Sequence, residues 1–313
     1  MPVERYDIGS FTEWQELRRQ DITASVAGAL LGVHDYMSIW RLYGLKAGLL
    51  AEDEENAAMQ RGKILESIAM QVIQRERPDW QLRWNGSPGQ FNGTYFRDPD
   101  HRLGATPDLF VHDPARGPGL VQFKTADRSV FYSKWFAGHE QAAAEPPLWI
   151  AVQAILEAHL TGVQWVDVAV MVVSDNLDTH IINIPIHTGI INRLRTACAE
   201  FWDRIARHDP PPPDYARDGT AIAALYGEDN GREVDLRGDN SLPLLLEERV
   251  HVASDRKAAQ ARLDTINAEL VHKLGNHVAG YLPGWRITNK TQSRKQYTAP
   301  ATSFRVLRVS RKD

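Results

Sequence analysis

Asp108, Gln122 and Lys124 are the residues whose types and spacing most directly suggest chemistry in this chain of 313 residues. Asp108 follows a proline in GATPDLF, and Gln122-Phe123-Lys124 come fourteen residues later in VQFKTA. Both stretches read as strands. Residues two apart on a strand project from the same face, so Gln122 and Lys124 point together. A turn between the two strands brings Asp108 beside them. A carboxylate, a side-chain oxygen and a lysine at one spot suit metal-assisted phosphodiester hydrolysis. The oxygens hold Mg²⁺, the metal activates water and offsets phosphorane charge, and the lysine orients the water or steadies that charge. A D…QxK match by itself is common.

Two helical residues sharpen the pattern. Glu66, in RGKILES, lies on the helix before the strands, and Gln153, in LWIAVQAILEAHLTG, on the helix after them. Singly, such a Glu is more often a solvated surface group and such a Gln a half-exposed one. The order carries the weight: helix with Glu, strands with Asp and QxK, helix with Gln, then an apolar strand.

The elements that position these residues read as mixed α/β. Short helices are expected over 12–20, 22–32 and 37–47. Residues 57–76 carry a helical apolar pattern (Met59, Ile64, Ile68, Ala69, Val72, Ile73) that Pro78 ends. Strands are expected near 91–97, 104–111 and 119–125. A helix over 148–161 stops at Gly162. WVDVAVMVV at 165–173 reads as a strand buried on both faces, with 178–186 as its hairpin partner and 187–207 as a helix. Pro210 to Pro213 cannot continue a helix. They divide a core, 1–213, from an extension, 214–313. The extension reads as a long helix over 243–275 and a strand-like tail. From Tyr281 to Asp313 there are eight Lys or Arg and one acid, a local charge of +7. That suits either a solvated hairpin or a phosphate-contact surface.

Composition bounds the class. With 43% hydrophobic and 24% charged residues, the chain is globular rather than disordered, collagen-like or coiled-coil. No run approaches the roughly 18 apolar residues of a membrane span. MPVERYDIGS lacks the apolar stretch of a signal peptide. The single cysteine, Cys198, excludes an internal disulfide or zinc knuckle and points to a reducing cytoplasm. A net charge of -4 means that any nucleic-acid role rests on local basic patches.

The order and the local strings resemble the PD-(D/E)XK nuclease superfamily, and within it the YqaJ-type viral recombinases related to lambda exonuclease. The similar pieces are DITASVAGALLGV, RGKILES, GATPDLF, VQFKTA, PLWIAVQAILEAHLTG, WVDVAVMVV and FWDRIARHDPPPPD, spanning about 14–215. GWRITNKTQ and SFRVLRV resemble the C-terminal extension of many YqaJ-type proteins. The resemblance implies a restriction-endonuclease-like core, a central mixed sheet flanked by helices, with a helical and β-hairpin extension. It implies a Mg²⁺-dependent enzyme, Mn²⁺ substituting, that digests duplex DNA from 5′ ends. The 3′ strand left is for a single-strand annealing protein. Related enzymes form rings, so a homo-oligomer (trimer or tetramer) in the cytoplasm of a bacterium or a phage-infected host is expected.

Carried over by residue, the resemblance makes Asp108, Glu66, Gln122 and the carbonyl of Phe123 metal ligands. Lys124 becomes the lysine that aids the attacking water, and Gln153 supports the water or the scissile phosphate. Arg18, Ser25 and Thr106 would receive a terminal 5′-phosphate, and Arg128 would add a charge, although its spacing from Lys124 does not match cleanly. Gln122 departs from the family, which normally has glutamate there. The side-chain reach is kept and the charge is lost, so weaker metal binding and slower chemistry are expected. A disabled variant, a natural variant that tolerates Gln, and an inactive DNA-binding relative all remain open, as does an endonuclease of the same superfamily.

Rival sites are weaker. The 11 histidines show no HExxH spacing. Cys198 reads as a small core residue. No Walker-A string occurs. The acidic run Glu52 to Glu55 suits the start of the helix that follows. Trp40 and Tyr43 read as core residues before DNA contacts.

Overall fold

The stretches that follow Asp108 and contain Lys124 form adjacent antiparallel strands, with Leu109 opposite Val121. They belong to a computed structural model that describes residues 2–52, 57–87, 90, 92–136, 143–174, 177–294 and 305–309. The chain divides into two units, Met1–Tyr226 and Gly227–Asp313.

The first unit begins with β1 (Glu4–Asp7), α1 (Phe11–Gln20), β2 (Ile22–Thr23), α2 (Ala24–Ala27), α3 (Ile39–Lys46) and α4 (Ala57–Glu76). The strands β3 (Gln81–Trp84), β4 (Thr94–Asp98), β5 (Leu103–Ala105), β6 (Leu109–Asp113) and β7 (Gly117–Asp127) follow. Then come α5 (Arg128–Trp135), α6 (Leu148–Thr161), β8 (Val166–Val173), β9 (Leu177–Ile184), α7 (Thr188–Arg207) and α8 (Tyr215–Leu225). The second unit carries α9 (Leu242–Leu274), β10 (Ala279–Leu282) and β11 (Trp285–Thr288).

The larger sheet has the order β3-β6-β7-β8-β9. Only β7 and β8 in it run parallel. A parallel pair needs a long crossover, and α6 supplies its helix. With α4 before the strands, this is a central mixed sheet flanked by helices, as the sequence leads one to expect. A smaller sheet has the order β1-β4-β5-β2.

Strand alternation decides where the site faces. Leu120, Val168 and Val170 share a core with Ile155 and Leu156 of α6 and with Leu194 and Phe201 of α7. Val121, Phe123, Ala169 and Met171 share another with Ala69, Val72 and Ile73 of α4. Gln122 and Lys124 lie on the side of Leu120, opposite Val168 and Val170, and so face α6. The helix ends at Gly162, whose φ of 76° is the left-handed stop that favours glycine.

Several expectations change. Residues 22–32 are not one helix: Ile22 and Thr23 pair with Leu103 and Gly104, and only the single turn α2 follows. The strand expected over 104–111 is two, β5 and β6, which belong to different sheets. Pro107 has no N–H for a ladder, and Asp108 sits in the break. The first unit runs past Pro213. Buried Asp218 of α8 accepts from Ser38 Oγ at 2.6 Å and from the Asp214 amide at 2.8 Å, and Arg217 donates to the His34 carbonyl. Trp40 and Tyr43 are buried. So is Cys198, with its thiol pushed up to about 12 by burial, which leaves it inert.

In the second unit, Pro243 starts α9 near the position where proline costs no hydrogen bond. β10 and β11 form an antiparallel hairpin with Leu282 opposite Trp285. Residues 305–309 are not in a strand. Of the basic tail, Lys295, Arg311 and Lys312 lie outside the described residues, as do Asp53 to Glu55 of the acidic run. Among the described residues, no helix is long and apolar enough to cross a membrane.

Candidate active site

Asp108 is held by β7. Its Oδ2 accepts from Gln122 Nε2 at 2.6 Å and from the Phe123 backbone N–H at 2.8 Å. Burial raises the Asp108 carboxyl above its usual range, against the Lys124 charge and the Phe123 N–H, which both favour the anion. Both hydrogen bonds fall on Oδ2, so Oδ1 has no protein donor among the described residues. Gln122 is 3% exposed, and its Oε1 is buried with no partner among the described residues.

Lys124 donates to Gln153 Oε1 at 3.0 Å. The other end of that amide, Nε2, donates to Glu157 Oε1 at 2.8 Å. Gln153 and Glu157 are 5% and 1% exposed on a helix otherwise lined with Ile150, Val152, Ala154, Ile155 and Leu156. Buried polar groups on such a helix must be partnered, and here they partner one another. Burial, with the Asp108 charge adding, pushes the Glu157 carboxyl up to about 8.

Glu66 comes from α4, on the opposite face of the sheet. It is half-buried and lines a cleft of about 910 Å³ together with Lys124, Phe123, Trp149, His34 and Arg61. Glu66 therefore shares the cleft with Lys124. Among the described residues, no three His, Cys, Asp or Glu side chains gather closely enough to hold a metal. The chemistry of the expected donors suits a hard divalent cation: the half-used Asp108 carboxylate, the orphaned Gln122 oxygen, the Phe123 carbonyl and the Glu66 carboxylate all offer oxygen.

A second cluster forms around Arg18. Ser10 caps α1 by accepting from the Glu13 amide, and Glu13 accepts in turn from the amide of Gly9, just before the cap. Trp14 and Arg18 then fall on one helix face, with the guanidinium 4.2 Å from the indole centroid. Arg18 Nη2 is 3.5 Å from Ser25 Oγ, and Trp14 Nε1 is 3.4 Å from Thr106 Oγ1. Thr23 Oγ1 lies 3.1 Å from Ser25 Oγ. Burial lowers Arg18 from its usual arginine value. Burial and the Arg18 charge bring Lys46 down to about 8, while its Nζ donates to the carbonyls of Arg18 and Asp21. Arg18, Ser25 and Thr106 are thus together. Arg128 is not with them. Asp127 ends β7 and caps α5 by accepting from the Val130 amide, so Arg128 starts an exposed turn and its guanidinium lies over Tyr132.

Two residues absent from the sequence reading join the clusters. His34 Nε2 is 3.0 Å from the Ser25 carbonyl, and the His34 ring stacks on Trp149 at 4.7 Å. Lys124 Nζ stands 5.6 Å from the Trp149 ring centroid. Glu157 was also missed; its signal was the four-residue spacing from Gln153 on an apolar helix.

Comparison with known proteins adds a family. No curated protein matches the chain. It is similar to an alkaline exonuclease (LHK-Exo) from Laribacter hongkongensis, with 21% identity, 67% of this chain and 98% of that one covered, and a TM-score of 0.48. It is also similar to a phage related exonuclease from Haemophilus somnus 129PT, with 11% identity, 60% and 96% covered, and a TM-score of 0.44. The model of the YqaJ-like viral recombinase domain matches residues 13–164, a stretch that contains Arg18, Ser25, Glu66, Asp108, Lys124 and Gln153.

Proposed function

We propose that the first unit is a Mg²⁺-dependent deoxyribonuclease, with Mn²⁺ as a substitute, that digests linear duplex DNA from its 5′ ends. It leaves a 3′ strand for a single-strand annealing protein, a task that suits a viral recombinase domain. One juxtaposition carries the reading. The Asp108–Gln122 and Lys124–Gln153 pairs stand beside Arg18, Ser25 and Thr106, with His34 and Trp149 between.

Asp108, Gln122, the Phe123 carbonyl and Glu66 would hold the metal, which when bound supplies an activated water and offsets phosphate charge. Lys124, steadied by Gln153, orients that water or meets the charge that develops. The planar donor fork of Arg18 and the hydroxyls of Ser25 and Thr106 grip the terminal phosphate. The fixed separation of the two clusters sets which bond is cut. A ring of three or four copies would keep a chain of net charge -4 on DNA, with its basic groups lining the channel.

Gln122 favours a second reading. It brings no charge to the site and donates its amide to Asp108 Oδ2, which suits a protein that binds DNA ends without cutting them. Incubating linear and closed-circular duplex with Mg²⁺ or Mn²⁺, with Gln122 and with Gln122→Glu, separates these readings. We expect loss of linear DNA only, faster in the glutamate form. Cutting of circles means an endonuclease, and intact DNA with both forms means the binding protein.

A further inference from the structure

We propose that Glu157 is a positioning residue that sets the orientation of the Gln153 amide, and through it the placement of the Lys124 ammonium. The inference deepens the nuclease reading and rests on it for its kinetic arm.

The amide of Gln153 has two unlike ends, one accepting and one donating. Lys124 can only donate, so it requires the oxygen end. Nothing in that bond prevents the amide from turning over when lysine moves toward a substrate. Glu157 does: its Oε1 takes the Nε2 end at 2.8 Å, one helical turn away on α6. A carboxyl oxygen accepts in either protonation state, whereas an amide at 157 would be as content to donate. Glutamate at this position therefore fixes the direction of the whole row, Lys124 to Gln153 to Glu157.

The setting makes that direction costly to reverse. Glu157 is 1% exposed and Gln153 5%, so water cannot replace a lost partner. Glu157 Oε2 has no partner among the described residues. A carboxyl with one unused buried oxygen is a poor purely structural choice, since leucine would fill the same space without a desolvation cost. The carboxyl also lies near Asp108 and Lys124, on the side of the sheet that Gln122 faces.

The test compares Glu157→Leu with the exchange Gln153→Glu/Glu157→Gln. In the exchange, a carboxylate at 153 accepts from Lys124 and from the amide at 157, so the direction is kept. With linear duplex and Mg²⁺, we expect Glu157→Leu to lower kcat by about 10- to 100-fold with KM within about 2-fold. The exchange should recover most of that loss. The second readout needs no activity: in the metal-free protein, the Gln153 side-chain NH₂ protons should exchange with solvent slowly in the parent and at least about tenfold faster in Glu157→Leu. Unchanged kcat and unchanged exchange in folded Glu157→Leu would overturn the proposal. So would an exchange variant as slow as Glu157→Leu with a native thermal midpoint. A parent that digests no DNA at all would instead count against the nuclease reading, and the NH₂ exchange would then decide the role of Glu157.

Discussion

The Gln122 amide nitrogen lies 2.6 Å from Asp108 Oδ2, so the pair that would face a cation is already joined by a neutral donor. Glutamate in place of Gln122 would set two carboxylates at that distance. Without a cation, like charges so close cannot both stay ionised. With one, both become ligands.

Gln122→Glu should therefore bind divalent cations at least about tenfold more tightly, by titration calorimetry with Mn²⁺ or Ca²⁺. In chelator at neutral pH it should be less stable to unfolding than the parent, by roughly 1–3 kcal/mol. Added Mg²⁺ should close that gap. Equal cation affinity in the two forms would remove Gln122 from the ligand set.

Lys124→Ala should abolish residual digestion while leaving end binding within about 3-fold of the parent, by gel shift in Ca²⁺. The lysine reaches Gln153, not the Arg18 cluster, so binding and cutting separate. Equal digestion by variant and parent would count against its assigned role.

Arg18→Ala and Ser25→Ala should act on one kind of end. A charge-assisted hydrogen bond contributes roughly 1.5–3 kcal/mol, so Arg18→Ala should slow attack on 5′-phosphorylated ends by about 10- to 100-fold. On 5′-hydroxyl ends it should differ little from the parent. The comparison uses two duplexes that differ only in the terminal phosphate. An equal loss on both would place Arg18 elsewhere on the DNA.

What was legible follows from how each residue is held. Gln122 and Lys124 obey a two-residue period, and Gln153 sits on a long apolar helix, so local pattern found them. Arg18, Ser25 and Thr106 needed the family resemblance, because a capped helix, a one-turn helix and a strand end come together only in space. Arg128 opens a helix that Asp127 caps, a change of element that local composition does not reveal. Pro107 signalled a break, but not that the chain changes sheets there. Glu157 and His34 escaped notice because each is a polar residue of ordinary surface type, although Glu157 sits one helical turn from Gln153 and His34 stacks on Trp149 far along the chain.

Glu157 carries a pH signature. Its folded-state carboxyl stands at about 8, raised by burial first and by Asp108 second, against about 4.3 for a free glutamate. A raised value means stability that is full below the unfolded pKa and is lost as pH rises through the folded one. Between about pH 5 and 9, the parent should lose thermal stability relative to Glu157→Leu. Parallel curves would show that Glu157 ionises without cost.

His34 gives the opposite sign. Its Nδ1 accepts from the amides of Tyr36 and Met37, both at 3.1 Å, so the ring proton belongs on Nε2, facing the Ser25 carbonyl. Burial lowers the His34 pKa, with Arg217 and Lys124 helping and the Ser25 carbonyl and Asp35 opposing. A lowered folded value means stability present above about 6.5 and lost as pH falls through the folded pKa. A proton on Nδ1 would remove the acceptor for both amides and free the 34–38 loop that lines the cleft. His34→Asn offers an oxygen near the Nδ1 position and does not titrate. Below pH 6.5 the parent should therefore lose both thermal stability and affinity for 5′-phosphorylated ends faster than His34→Asn. Carboxylates elsewhere titrate alike in both proteins, so the difference between the two curves isolates the imidazole. A constant difference from pH 7.5 to 5 would show that this ring stays neutral or that the loop holds without it.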